Sequence, residues 1–146
     1  MSEKFYVSVG QRFRFTKTVS ESDVYLFAGI TGDLSPNHIN EEVMKKTTYG
    51  GRIAHGALLV GYMSACSTRA CAATLGTTEE TAVSLGYDKV RFLAGVRIGD
   101  TITVDYVIKE VDLSRRRSIA EIEVKTQNGT LAAVAKHILK WVPNQP

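Results

Sequence analysis

The stretch Gly32-Asp33-Leu34-Ser35-Pro36-Asn37-His38 sets a carboxylate and an imidazole five positions apart across a serine-proline step. At neutral pH the acid is ionised and the imidazole titrates close by, so such a pair can take a proton from water and give one to carbon. Pro36 disfavours the helical region for Ser35, so the segment cannot run as one continuous helix, and a loop here can turn both side chains toward one point. The same residues also suit an ordinary turn, with Asp33 as a turn or cap residue and His38 satisfied by backbone. This stretch alone leaves both readings open.

A second stretch, Arg52-Ile53-Ala54-His55-Gly56, ends where a long helix is expected to begin. Gly56 would present its backbone N–H there with no side chain in the way, and a helix N-terminus of this kind can stabilise an oxyanion developing on a substrate carbonyl. Together the two stretches offer a base, an acid and an oxyanion donor, the parts needed to add water across a double bond conjugated to a thioester. Polarising the carbonyl makes Cβ electrophilic, water activated by the base attacks it, and a proton is delivered to the enolate at Cα. The reverse is dehydration of a 3-hydroxyacyl thioester. No nucleophilic cysteine, metal-ligand cluster or glycine-rich phosphate loop supplies a competing chemistry as well, so neither a metal nor a cofactor is expected.

The elements that must position these residues follow from pattern. Arg12 to Val19 alternates as a first strand, and Ser20 with Asp23 forms a capping-box arrangement ahead of a helix that Gly29 and Gly32 bring to an end. Asn40 suits an N-cap, with Glu41 and Glu42 at the start of a short helix, Lys45 and Lys46 at its end paired i,i+4, and a stop by Gly50 and Gly51. From His55 to about Leu75 the sequence is helical in length and carries no carboxylate, with Gly56, Ala57, Gly61, Ser64, Ala65, Ala70 and Ala72 offering little bulk, so close packing around it is expected. Lys89–Val96, Thr101–Val111, Ser118–Thr126 and Thr130–Val142 are strand-like, with alternation clearest at Ile102, Val104, Tyr106 and Ile108 and at Ala120, Ile122 and Val124. Asn128-Gly129 is a hairpin signal. An antiparallel sheet wrapped round a buried helix, an α+β fold, satisfies all of these elements.

The chain has 146 residues, 44% hydrophobic and 23% charged, with a net charge of +3, the composition of an ordinary globular protein with one domain expected over 1–146. The weakly polar run around Arg69 reads as a buried helix and not as a membrane span. Cys66 and Cys71 lie too far round that helix to bridge. The basic cluster Arg115-Arg116-Arg117 reads as a solvated hairpin tip, and no basic stripe interleaved with aromatics suggests nucleic acid. The charged N-terminus lacks the apolar core of a signal peptide, so the cytoplasm is the expected compartment.

The motif residues resemble the MaoC-like hydratases, the (R)-specific enoyl-CoA hydratases of the hot-dog fold. Their motif is a helix ending in Gly-Asp, then x-Asn-Pro-x-His, then a His-Gly that opens the central helix. Residues 27–64 match it closely, and the order of the remaining strands fits one hot-dog unit. The resemblance implies that Asp33 and His38 are the catalytic pair acting on water, that the Gly56 amide holds the thioester oxygen, and that Ser64 lies near the acyl chain. His55 reads as a structural residue of the His-Gly turn, and His137 as a packing or surface histidine. Ser35 stands where the family usually has asparagine; it is shorter and has one donor instead of two, so the positioning of water or substrate would differ. The resemblance further implies an acyl-CoA thioester substrate and a homodimer whose two sheets join edge to edge; the mild positive charge would suit the phosphates of CoA, with Arg52, Lys89 or Arg91 as candidates. A hot-dog thioesterase acts on the same substrates but often carries a carboxylate on the central helix, which is lacking here. A non-catalytic acyl-CoA-binding protein is the other alternative.

Overall fold

The computed structural model describes residues 5–76 and 79–145. In chain order they form β1 (Arg12–Thr18), α1 (Glu21–Thr31), α2 (Pro36–Ile39), α3 (Glu41–Met44), α4 (Gly56–Ala70), a 3-10 turn (Ala72–Thr74), β2 (Glu80–Phe92), β3 (Thr101–Asp112), β4 (Arg117–Thr126) and β5 (Leu131–Pro143). The strands make one antiparallel sheet in the order β1-β3-β4-β5-β2. Period-two alternation places Ile102, Val104, Tyr106 and Ile108 on the face that α4 covers, opposite Ala120, Ile122 and Val124 of β4. From α4, Leu59, Tyr62, Met63, Cys66 and Ala70 are buried, the i, i+3, i+4, i+7 stripe of a helix with one apolar face. The opposite stripe, Ala57, Gly61, Ser64 and Thr68, is exposed. The helix is therefore covered by the sheet on one side only, where its small residues suggest enclosure all round. Among the described residues no helix is long and apolar enough to cross a membrane.

Caps fix the helices that flank the site. Ser20 and Asp23 form the expected capping box, and Gly32 ends α1 in the left-handed conformation with φ of 82°. Asp23 also takes Lys17 at 3.0 Å and the Tyr62 hydroxyl at 3.1 Å, tying β1, α1 and α4 together. Asn40 caps α3 by accepting from the Val43 N–H at 3.1 Å. That helix ends at Met44, well before the glycines, and passes into a tighter turn in which the Lys46 N–H donates to the Val43 carbonyl at 3.3 Å and the Thr47 hydroxyl to the Met44 carbonyl at 2.7 Å. The ion pair on it is Lys45 with Glu42, one position closer than i,i+4.

Two further sequence expectations change. The strand expected over 89–96 instead runs Glu80–Phe92, with register shifts between Ser84 and Gly86 and between Asp88 and Arg91 that break the alternation by which strands are read. The Arg115–Arg117 cluster does lie at the β3–β4 turn with Arg115 exposed, but Arg116 is not left to solvent: it pairs with Glu80, with Nε at 3.0 Å, and lies over the Phe5 ring at 4.9 Å. Phe5 and Tyr6 in turn close over the buried Trp141, at centroid distances of 4.8 and 5.6 Å.

His137 is fully buried on β5 beneath this sheet face. Its Nδ1 meets the Tyr106 hydroxyl at 2.8 Å and its Nε2 the Ser84 hydroxyl at 2.7 Å. Burial pushes the imidazole down to about 4, from 6.5 in an unfolded chain. The unfolded state therefore binds the extra proton in that window, so the stabilisation is complete above about pH 6.5 and is lost as pH falls toward 4, by on the order of 3 kcal/mol. Urea unfolding should accordingly show a midpoint that drops between about pH 7 and pH 5, and His137→Gln should flatten that drop. A wild-type midpoint constant over that range would contradict the buried neutral histidine.

Candidate active site

The segment after α1 is built from local hydrogen bonds. The Thr31 hydroxyl donates to the Phe27 carbonyl at 2.7 Å and accepts the Asp33 N–H at 3.2 Å. Asp33 Oδ1 accepts the Ser35 N–H at 3.3 Å, so the acid does serve as a turn residue. Pro36 then starts the single turn of α2 at its first position, where its missing N–H costs nothing. His38 thus sits on a short helical turn and not in an open loop. Ser35 is the residue before that turn, and its hydroxyl does not cap it.

Residues 33–38 and 53–55 are stitched together reciprocally. His38 Nδ1 lies 2.7 Å from the Ile53 carbonyl, and His55 Nε2 lies 3.0 Å from the Asp33 carbonyl. A carbonyl only accepts, so each imidazole donates at that nitrogen and its neutral tautomer is fixed. His38 keeps Nε2 as its free lone pair. The Ile53 N–H adds a bond to the Asn37 carbonyl at 3.0 Å, and the Ala54 N–H one to the Val96 carbonyl at 2.7 Å. Between the segments the two imidazoles stack, 3.6 Å apart at 27°, and Phe27 packs on His55 at 4.7 Å. His55 is 1% exposed and its Nδ1 is buried with no partner. It therefore contacts both members of the acid/imidazole pair, which adjacency to Gly56 alone does not reveal.

Asp33, His38 and His55 each bring a side-chain donor atom to within 4.8 Å of the others. Such a set invites a metal reading, but metal–imidazole bonds of about 2.1 Å must lie in the ring plane, and the planes of the two stacked rings are only 27° apart, so one ion would not lie in both at bonding distance. The arrangement suits a small hydrogen-bonded molecule better than a metal ion.

A cavity of about 240 Å³ adjoins His38 and is lined also by Ile53, Gly56, Leu59, Phe92 and Val96. Gly56 opens α4 against it, as the sequence predicts. A Cβ placed on Gly56 would lie 2.6 to 2.7 Å from three ring atoms of Phe92, so that ring occupies the space a side chain would need. Nothing in the sequence points to Phe92, which is 36 residues away and reaches Gly56 only because β2 runs beside α4. Ser64 lies eight residues further along α4, about 12 Å of rise, on the exposed stripe and outside the cavity lining. Its neighbour is Tyr87, whose hydroxyl approaches Ser64 and Ser67 without meeting either in hydrogen-bond geometry.

Of the basic residues available to phosphate, Arg52 is already committed. It bonds Glu21 at 2.7 Å, Glu41 at 3.0 Å and the Tyr25 hydroxyl at 2.9 Å, pinning α1 and α3 to the strip that carries His55. Lys89 and Arg91 lie exposed on β2.

This geometry can be set beside known proteins. An (R)-specific enoyl-CoA hydratase of Rhodospirillum rubrum is 39% identical over 103 residues, 70% of this chain and 66% of that protein. A 3-hydroxybutyryl-CoA dehydratase of Methylorubrum extorquens is 36% identical over 113 residues, 77% of this chain and 67% of that protein. The matched region thus spans about two-thirds of each relative's length. The solved structure of an R-hydratase from Pseudomonas aeruginosa, unliganded, superposes with a TM-score of 0.76 at 29% identity, covering 91% of this chain and 81% of that one. The architecture is the hot-dog fold, and the family described as MaoC like domain matches residues 5–134. The chain belongs to the MaoC-like domain family.

Proposed function

We propose that this chain is a hydro-lyase, an (R)-specific enoyl-CoA hydratase that equally runs as a 3-hydroxyacyl-CoA dehydratase. The observation that carries this reading is the meeting of Asp33 and His38 beside the cavity that Gly56 opens with the start of α4. The names of the two curated relatives support it.

In this reading a water sits between the Asp33 carboxylate and His38 Nε2, which faces the site because Nδ1 is held on the Ile53 carbonyl. The thioester oxygen accepts from the Gly56 N–H, where the positive end of α4 favours the developing negative charge. Withdrawal of electrons toward that oxygen makes Cβ electrophilic. The pair takes one proton from water as its oxygen bonds to Cβ, and the enolate that results collapses as a proton passes from the pair to Cα. Dehydration is the same path reversed. Ser35 leaves room where an asparagine side chain would reach toward the water, so it bears on rate and substrate preference more than on reaction class. The assignment of Ser64 to the acyl chain depends on how far a chain extends along α4 from Gly56.

Thioester hydrolysis is the competing reading for the same substrates. It is disfavoured because α4 carries no carboxylate between Gly56 and Ala70.

The exposed stripe of α4 and the edge strand β2, with Leu85 exposed on it, fit a homodimer joined edge to edge, with the two sites near the junction. Sedimentation should give a dimer at micromolar concentration, and a monomer would contradict the assembly.

Asp33→Asn and His38→Ala should each lower crotonyl-CoA hydration by about a hundredfold or more, with the far-ultraviolet circular dichroism unchanged. Near-normal turnover in either variant would sink the assignment.

A further inference from the structure

We propose that Phe92 is the residue that keeps this site a hydratase and not a thioesterase, by shielding from bulk water the carbonyl carbon seated at Gly56. The inference rests on the hydration reading above. Hydrogen bonding from Gly56 polarises the thioester carbonyl, and that activates two carbons at once, Cβ by conjugation and C1 directly. Water arriving at C1 would form a C–O bond, the C–S bond would break, and the thiolate would leave with the proton that water gave up, yielding a carboxylic acid and free thiol. The oxyanion donor cannot discriminate between these outcomes. Only the placement of water can.

Phe92 is placed to do this. Its ring lies against the Gly56 Cα, with Cε2, Cδ2 and Cζ all 2.6 to 2.7 Å from the position of an added Cβ. It lines the same cavity as His38 and yet is 53% exposed, so it forms the wall between cavity and solvent at the oxyanion donor. The wall is anchored in the sheet: Phe92 pairs with Ala133 of β5, and the next residue, Leu93, donates its N–H to the Ala132 carbonyl at 2.8 Å. Across the cavity, His38 sits on the other segment and has its Nδ1 tied down, so the water that the pair holds comes from a fixed direction. One ordered water is offered to the substrate from the Asp33 and His38 side while disordered water is kept away from C1.

The test uses the full chain with Phe92→Ala and Phe92→Leu, on crotonyl-CoA and on butyryl-CoA. Loss of enoyl absorbance reads hydration, and thiol release, corrected for the chain's own cysteines, reads hydrolysis. Butyryl-CoA has no electrophilic Cβ, so thiol release from it reports attack at C1 alone. The wild type should hydrate crotonyl-CoA with thiol release at least about a hundredfold slower. Phe92→Ala should raise the ratio of thiol release to hydration by about tenfold or more on crotonyl-CoA, and raise thiol release from butyryl-CoA. Phe92→Leu, which keeps much of the bulk and is the milder change to the fold, should move the same ratio in the same direction by less. A wild type that hydrates while both variants keep its ratio would overturn the role of Phe92 alone. A wild type that does not hydrate crotonyl-CoA would overturn the hydration reading and this inference with it.

Discussion

Two imidazoles, each donating to a backbone carbonyl of the opposite segment, hold the site together. His38 reaches from the α2 turn to the Ile53 carbonyl, and His55 reaches from the strip before α4 to the Asp33 carbonyl. Each bond on its own is worth about 1 kcal/mol, but both rings are largely buried, so losing either one would leave a carbonyl or an imidazole N–H unsatisfied in a low-dielectric site. The reciprocal pattern also fixes both tautomers. Much of the surrounding architecture serves this clamp: Gly32 ends α1 so that the chain turns into Asp33, Arg52 fastens the second strip to α1 and α3, and Val96 receives the Ala54 N–H.

The acidic half of the pair is less constrained than the imidazole half. Asp33 is exposed and uses one oxygen on the Ser35 N–H, while His38 is 9% exposed and anchored at Nδ1. The turn function and the proposed chemical function of Asp33 are therefore compatible, since the Asx turn sets the direction of a carboxylate that retains lone pairs for a water. His55 stacks against His38, and its own Nδ1 is buried with no hydrogen-bond partner.

Legibility in the sequence followed the range of the interactions. The motif residues lie within two short stretches, and capping and alternation are local, so the closeness of Asp33 and His38, the place of Gly56 at the start of α4, the capped α1 and the strands β3, β4 and β5 could all be read directly. Where the determinant is distant, the sequence is silent. The contact of Phe92 with Gly56 depends on two elements meeting, and the partial cover on α4 depends on how the sheet curves past it. The first half of β2 was hidden for a different reason: bulges and Gly86, with φ of 141°, break the period of two that identifies a strand. The α2 turn at Pro36 shows the ambiguity of proline, which bars a helix before itself and favours one starting at itself.

In the proposed mechanism the water is held on one side of the substrate between the anchored His38 and the Asp33 carboxylate, while the carbonyl is held at the start of α4. Addition from one fixed direction must give one configuration at Cβ. The most direct measurement is the stereochemistry of the 3-hydroxybutyryl-CoA formed from crotonyl-CoA by the wild-type protein, resolved on a chiral column after hydrolysis. The (R) product alone is expected; an (S) or racemic product, or no hydrated product at all, would overturn the placement of water by Asp33 and His38.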